Sequence, residues 1–452
     1  MEDFDICIIG AGPGGTAAAV EASSLGARVA VIEKDEVGGI CLNKGCIPTK
    51  AFLKSALLYE ELKRSDEFGI SCKNISYDLS HIKRRAKEVV NVLRGQLSSS
   101  LKARKIDFIK GKAAFVDNKH IVVGEKKINA RSFIVATGSS PKGLDSLAVD
   151  NKRIFCSEGI LEIEKMPKDI TIIGAGAIGC EFASFFSAFG VKVTLVEMLE
   201  RILPKEDRDI SSRLEGIFKK KGIEVLTGDS SLNTRTIKSE VILISVGRSA
   251  NVKDIGLEKA GVIVKDGRLS VNEYLETDSP GIFAIGDCIG KYNLAHMASA
   301  QGRVAARNAL VPSLKDRKDY PLGLGGKTAM DYTIVPMCVY SIPEVASVGL
   351  NAIEAENKGY ELRSSRLHFA GLGRAQTEGA AEGFIKLVAD KKSGAVLGAQ
   401  ILGHHASELI GLVSIAIRRR LKIEDVAEIT QAHPTFCEGI QEAALNLSRQ
   451  VR

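Results

Sequence analysis

The chain has 452 residues, 45% of them hydrophobic and 26% charged, with a formal net charge of +7; this is ordinary for a globular protein and unlike a disordered or collagen-like chain. That length exceeds what one hydrophobic core supports, so two to four domains are expected. The nine cysteines are odd in number and scattered, which does not suit a secreted disulfide framework; no Cys/His group has zinc spacing, and no apolar run of about 18 residues offers a membrane span.

The N-terminus enters a strand almost at once, Phe4 to Ile9, which leaves no room for a signal peptide, and a cytoplasmic protein is expected. The mild positive charge includes Arg418-Arg419-Arg420, read as a solvated helix face. Neither a nucleic-acid nor a membrane partner is expected.

That first strand runs into Gly10-Ala-Gly12-Pro-Gly-Gly15, a small-residue helix (Thr16 to Leu25), a turn at Gly26 and a second strand, Arg28 to Ile32, ending at Glu33. This is the βαβ dinucleotide fingerprint in its full context. Gly10 permits the tight turn, Gly12 lets the backbone approach a pyrophosphate, and Gly15 allows close helix–strand packing. The helix N-terminus offers N–H groups to phosphates. Glu33 stands where a carboxylate accepts hydrogen bonds from a ribose.

Next comes Gly38-Gly39-Ile-Cys41-Leu-Asn-Lys-Gly45-Cys46-Ile-Pro48-Thr-Lys50. Pro48 fits the first turn of a helix, so a glycine loop is expected to fold Cys41 back against Cys46 at a helix start. A thiol there sees the positive end of the helix dipole and is stabilised as a thiolate, the chemistry of a redox pair. The alternative is two buried structural thiols.

Ala51 to Leu101 reads as helical, and Ile128 to Ser140 as a strand entering Ala136-Thr137-Gly138, a second turn beside a cofactor. The first nucleotide module is left near Asn151. Then Gly174-Ala-Gly176-Ala-Ile-Gly179 repeats the first loop at an offset of 164 residues, with Gly190 matching Gly26 and Glu197 matching Glu33. Two bound dinucleotides are expected; a duplicated but empty fold is the alternative. Glu197 would bind a free 2′-hydroxyl and repel a 2′-phosphate, favouring NAD(H) over NADP(H). Arg201, four residues on, could blunt that preference, but a lone Arg beside the acid is a poor phosphate clamp.

Val241 to Val246 is a further strand ending at Gly247-Arg248, and Ile282 to Gly286 is another with Asp287 beyond it, where an acid can reach a ribityl hydroxyl. The chain thus returns to its first nucleotide domain. From Pro336 shorter alternating strands (Val345 to Val348, Phe384 to Val388, Val396 to Ile401) and then helices indicate an α+β domain. Near its end, His433 and Glu438 flank Pro434-Thr435; a Glu receiving one imidazole N–H leaves the other nitrogen as a base, and a core or surface histidine is the alternative.

Together these features resemble the flavoprotein disulfide reductases, and within them the lipoamide branch. The resemblance covers essentially the whole chain. It is carried by Gly39 to Lys50, both βαβ units, Ala136-Thr137-Gly138, Val246-Gly247-Arg248, Ala284-Ile-Gly-Asp287, Leu294-Ala295-His-Met297 and His433-Pro-Thr. Cys-Leu-Asn-x-Gly-Cys-Ile-Pro is similar to the lipoamide form, whereas the glutathione and mercuric branches usually carry Cys-Val-Asn-Val-Gly-Cys-Val-Pro. Val196 to Pro204 is also similar to the lipoamide branch.

The resemblance implies an α/β fold of two Rossmann-like dinucleotide-binding domains, for FAD and NAD, plus a C-terminal α+β dimerisation domain. The expected divisions are 1–149 (FAD), 150–264 (NAD), 265–335 (return to the FAD or central domain) and 336–452 (interface). The implied activity is oxidation of protein-bound dihydrolipoyl groups, with hydride passed to NAD⁺; an NADH-dependent reductase of another disulfide is the alternative. A catalytically idle, flavin-bearing subunit would be expected to have lost the thiol pair or the base.

Cys41 is implied as the interchange thiol and Cys46 as the thiol against the flavin. Lys50 and Glu181 pair near flavin N5. Gly10, Gly12, Gly15, Glu33, Thr137, Gly138, Asp287 and Ala295 hold FAD; Gly174, Gly176, Gly179, Glu181, Glu197 and Gly247 hold NAD. His433, backed by Glu438, serves the other subunit's site in a homodimer. The implied partner is a lipoyl-bearing protein of a 2-oxoacid dehydrogenase complex or glycine cleavage system. Four departures from the pattern stand out: Gln431 in place of the usual His, Cys437 in place of Ser, a short 224–241 segment, and a long 312–333 connection containing Gly323-Leu-Gly-Gly326.

Overall fold

The computed structural model describes residues 2–228, 237–314 and 326–449; the centre of the shortened 224–241 segment and much of the 312–333 connection lie outside the described residues. The chain forms two compact units, one of residues 1–51, 80–142 and 247–331, the other of 52–79, 143–246 and 332–452.

The first unit is built on a seven-stranded sheet. Its order is Asp107–Lys110, Val29–Glu33, Glu2–Ile9, Lys126–Val135, His120–Val123, Ala113–Phe115, with Ile282–Ala284 paired to Lys126–Val135. The strands around Glu2–Ile9 are parallel. Val29–Glu33 is buried at every position, as a strand covered on both faces requires. Ile9 is opposite Val135, and Ala284 is also opposite Val135. Three strand ends, and the loops that follow them, therefore open on one edge, where open α/β sheets place ligands. Helices Pro13–Ser24 and Ala295–Leu314 pack together on the sheet; a Cβ on Gly302 would stand 2.3 Å from the Gly14 carbonyl oxygen, so only glycine permits the approach.

The second unit repeats the plan in a five-stranded parallel sheet: Glu224–Thr227, Lys192–Glu197, Asp169–Ile173, Val241–Ile244, Ile154–Cys156. It also holds an antiparallel sheet in the order Met337–Val339, Val345–Gly349, Val396–Leu402, Phe384–Asp390, Leu362–His368. Helices Ala406–Arg418 and Glu438–Arg449 close that sheet's core through Leu409, Ile410, Val413, Ile440, Ala444 and Leu447. The helical stretch expected over 51–101 is two helices, Cys46–Lys63 and Leu79–Ala103, separated by the short 3₁₀ turn Ser65–Phe68 and Gly69 in the left-handed region. Among the described residues no helix is long and apolar enough to cross a membrane.

Candidate active site

The two glycine loops are built alike down to single hydrogen bonds. Gly10 N–H donates to Ile32 O and Gly174 N–H to Val196 O, both at 2.8 Å. Glu33 accepts from the Ala11 N–H at 2.8 Å and the Asp35 N–H at 2.8 Å; Glu197 accepts from Ala175 at 2.8 Å and Leu199 at 3.0 Å. Every partner obeys the 164-residue offset. Each acid thus braces its own glycine loop.

Close packing explains the glycines. Gly10 lies at φ +109° and a Cβ there would sit 2.3 Å from Ala136 O; Gly174, at φ +100°, would meet Ser245 O at 2.6 Å. A Cβ on Gly15 or on Gly179 would lie 1.9 Å from the carbonyl oxygen of Gly10 or Gly174. Around Gly176, Gly138 and Gly247, in contrast, an added Cβ would find nothing within 4 Å. Neither following helix, Pro13–Ser24 nor Ala177–Ala188, carries an acid in its first turn. Bare N–H groups, open space and an uncompensated helix start suit a pyrophosphate. The residues present fit a dinucleotide in both modules.

Arg201 turns away from Glu197: its Nη2 donates to Pro204 O at 2.9 Å and Glu206 O at 3.4 Å. Its guanidinium is thus occupied by two backbone carbonyls.

At the first sheet's edge, Asp287 follows Ile282–Ala284 and its Oδ2 accepts from Ser139 Oγ at 2.5 Å. Arg248 donates to Ser139 Oγ and O, each at 2.7 Å. Thr137 Oγ1 donates to Asn251 O at 2.6 Å, and the Asn251 N–H to Gly138 O at 2.9 Å. Ser139 and Asn251 were not expected from the sequence; they tie the turn at Gly138 to the strand after Gly247. Ala295 opens the helix Ala295–Leu314, and the nearby Gly286 N–H is held by Gln301 Oε1 at 2.7 Å.

The cysteine segment is more ordered than the expected glycine loop. Gly39–Lys44 is a short helix, preceded by Gly38 in the left-handed region, and Cys46 is the first residue of the helix Cys46–Lys63. Asn43 holds the short helix, donating to Val37 O at 3.0 Å and Gly39 O at 2.8 Å while accepting from Arg94 Nε at 2.9 Å. The Gly38 N–H reaches Ala11 O at 2.8 Å, and a Cβ on Gly39 would lie 2.7 Å from Gly12 Cα. The thiol pair is thus docked on the first dinucleotide loop. Cys41 and Cys46 are both partly buried. The hydrogen bond with Cys46, then burial, pushes the Cys41 thiol far up, while Lys50 opposes the shift.

In the second unit, Glu181 is buried and accepts from the Tyr340 N–H at 3.1 Å. His433 Nδ1 lies 2.7 Å from Glu438 Oε1, and the Thr435 N–H donates to Glu438 Oε2 at 2.8 Å. The His433 hydrogen bond, followed by that of Thr435, holds the Glu438 carboxyl below the usual carboxylate range. Glu438 heads the helix Glu438–Arg449, where a negative charge is favoured. The His433 side chain is 78% exposed. Cys437, expected as an extra thiol near the base, is partly buried against the core of the antiparallel sheet.

Fold and site together define a protein of two dinucleotide modules with a thiol pair against one of them. Residues 4–302 match the family described as pyridine nucleotide-disulphide oxidoreductase, and residues 335–444 match that family's dimerisation domain. The chain belongs to the pyridine nucleotide-disulphide oxidoreductase family. It is 36% identical over 475 residues to a dihydrolipoyl dehydrogenase of Bacillus subtilis, covering 98% of each chain. It is 37% identical to that of Chlamydia muridarum, covering 98% of this chain and 97% of the relative. Among solved structures, LpdA from Mycobacterium tuberculosis is similar with a TM-score of 0.90 at 27% identity, covering 99% of this chain and all of that one. The HOCl-induced flavoprotein disulfide reductase RclA from Escherichia coli is similar with a TM-score of 0.86 at 26% identity, covering 98% and 99%.

Proposed function

We infer that the chain is an NAD-dependent dihydrolipoyl dehydrogenase that works as a homodimer with FAD. The observation that carries the reading is the Cys41–Cys46 pair seated on the first dinucleotide loop, in a chain at least 36% identical along nearly its whole length to the Bacillus and Chlamydia dehydrogenases. The partner is a lipoyl-bearing protein of a 2-oxoacid dehydrogenase complex or glycine cleavage system. The location is cytoplasmic, a reading supported by nine cysteines that are odd in number and scattered along the chain.

Gly10, Gly12, Gly15, Glu33, Thr137, Gly138, Asp287 and Ala295 would hold FAD. Gly174, Gly176, Gly179, Glu197 and Gly247 would hold NAD. Lys50 and Glu181 would serve the flavin–nicotinamide stack. Bound FAD supplies the two-electron relay between the dithiol and NAD⁺.

The chain's own residues handle the thiols. His433 of one subunit, oriented by Glu438, takes a proton from the dihydrolipoyl thiol in the other subunit's site. The substrate thiolate forms a bond to Cys41 Sγ as the Cys41–Cys46 disulfide breaks. Cys46 leaves as a thiolate at the start of an 18-residue helix, the better leaving group of the two. The second substrate thiol then attacks the mixed disulfide, which releases the cyclic lipoyl disulfide and Cys41 as a thiol. Consistent with this order, the hydrogen bond with Cys46 and burial push the Cys41 thiol up.

The test compares purified enzyme on dihydrolipoamide with NAD⁺ against glutathione disulfide and cystine with NADH. Cys46→Ser is expected to abolish lipoamide turnover and to spare a slow NADH–dye activity. Lipoamide turnover surviving in Cys46→Ser, or glutathione or cystine as the faster substrate, would sink the assignment.

A further inference from the structure

We propose that Glu378, His404 and His405 form a binding site for a divalent late first-row metal ion such as Zn²⁺ or Cu²⁺. Their ligand atoms all lie within 4.8 Å of one another. His404 Nε2 stands 3.6 Å and His405 Nε2 4.0 Å from the same oxygen, Glu378 Oε2. Both distances are too long for hydrogen bonds. Ligands of a tetrahedral zinc with about 2.0–2.1 Å bonds sit about 3.3 Å apart, so small rotamer adjustments close the set.

The backbone explains the convergence. The two histidines fill the turn between the strand Val396–Leu402 and the helix Ala406–Arg418. Neighbouring side chains normally diverge, but His405 lies in the left-handed region at φ +61°, which swings its ring beside that of His404; the centroids are 4.1 Å apart. A non-glycine residue at positive φ is uncommon and often marks a functional constraint. Glu378 arrives from a distant stretch, just after the helix Gly373–Thr377.

The surroundings suit a cation. Buried Phe436 backs both imidazoles, with centroid distances of 5.8 Å to His404 and 5.3 Å to His405, giving an apolar wall on one side. Glu378 Oε1 is held by Arg374 at 2.5 Å, which leaves Oε2 to face the imidazoles; a hydrogen-bonded carboxylate of this kind is the usual outer support of a ligand. Glu344 and Glu61 add negative charge around His404. Arg64, which donates to the Gly379 carbonyl at 3.1 Å, has its charge matched by Glu67. Two imidazoles and one carboxylate leave a fourth position open and favour zinc, copper or nickel over magnesium or calcium.

The experiment uses the flavin-loaded, full-length enzyme, oxidised so that the catalytic dithiol cannot chelate, and stripped with a chelator. Zn²⁺ titration by calorimetry is expected to give one saturable site per chain. His404→Ala and Glu378→Gln should each weaken it at least about tenfold. With Cu²⁺, electron paramagnetic resonance should show coupling to two imidazole nitrogens in the wild type and to one in His404→Ala. Circular dichroism and retained flavin would establish that both variants fold. No saturable zinc binding, or binding of wild-type strength in both folded variants, overturns the site.

Discussion

His433 presents Nδ1 to Glu438 Oε1 at 2.7 Å, across five residues and with the Thr435 N–H on the other carboxylate oxygen. The carboxylate fixes which ring nitrogen carries the proton, as paired imidazoles require. His433→Gln is expected to lower dihydrolipoamide turnover by about 10²–10⁴-fold, the usual worth of a general base. Glu438→Gln, which keeps a hydrogen-bond acceptor, should lose less than Glu438→Ala. NADH–dye activity should stay near wild type in all three. Equal loss of both activities would assign the pair a structural role instead.

The two modules permit a paired glycine test. Gly15→Ala places a methyl group where Gly10 O stands, and Gly179→Ala does the same against Gly174 O. Relieving either overlap moves a phosphate-binding loop, at a cost of about 1–3 kcal/mol. Gly15→Ala should purify with little or no flavin. Gly179→Ala should keep its flavin but need at least about tenfold more NAD⁺ for half-maximal rate, since about 1.4 kcal/mol is a factor of ten. Absorbance of the purified protein and NAD⁺ saturation curves separate these outcomes.

Glu197 braces the second loop through the Ala175 and Leu199 N–H groups. Glu197→Gln retains an acceptor and removes the charge, so its NAD⁺ KM should rise by about tenfold and its discrimination against NADP⁺ should shrink. Since Arg201 is tied to Pro204 and Glu206, Arg201→Ala should leave the NAD⁺/NADP⁺ ratio within about twofold, a factor worth only about 0.4 kcal/mol. Steady-state kinetics with both cofactors check this pair.

Burial pushes the Glu206 carboxyl above the usual carboxylate range, with Asp207 and Glu354 adding to the effect and a hydrogen bond with Ser347 opposing it. An acid raised in the folded state binds its proton more tightly there than in the unfolded chain, so ionising it penalises folding. That penalty is absent below the unfolded value, near about pH 4.3, and is complete once the pH has passed the raised folded value. Glu206→Gln should therefore raise Tm by about 1–3 °C at about pH 7.5 and do little at about pH 4. Differential scanning calorimetry at the two pH values would show it; a gain larger in acid would contradict the sign.

Much of this was legible in the chain because glycine spacing and the 164-residue repeat are local signals with few physical alternatives. The strands Val345–Gly349, Phe384–Asp390 and Val396–Leu402 fall within two residues of their expected ends. Leu362–His368 went unseen because five of its seven residues are polar and it buries only Ser365, so its pairing rather than its composition makes it a strand. The helix Gly39–Lys44 was hidden by its glycines; what sustains it is Asn43 and the distant Arg94. Ser139 and Asn251 escaped notice for a related reason. Their bonds join residues 148 and 111 apart in sequence, beyond the reach of any short motif.

The approach of Gly39 to Gly12 has a wider consequence for how such a chain can change over time. No side chain separates the cofactor loop from the thiol helix, so the two cannot drift independently: a single methyl group at Gly39 would displace both. Selection for a new substrate therefore has little freedom at this joint. It must act instead on the surfaces that surround the thiols, and electron-transfer spacing would be inherited unaltered while specificity is rewritten around it.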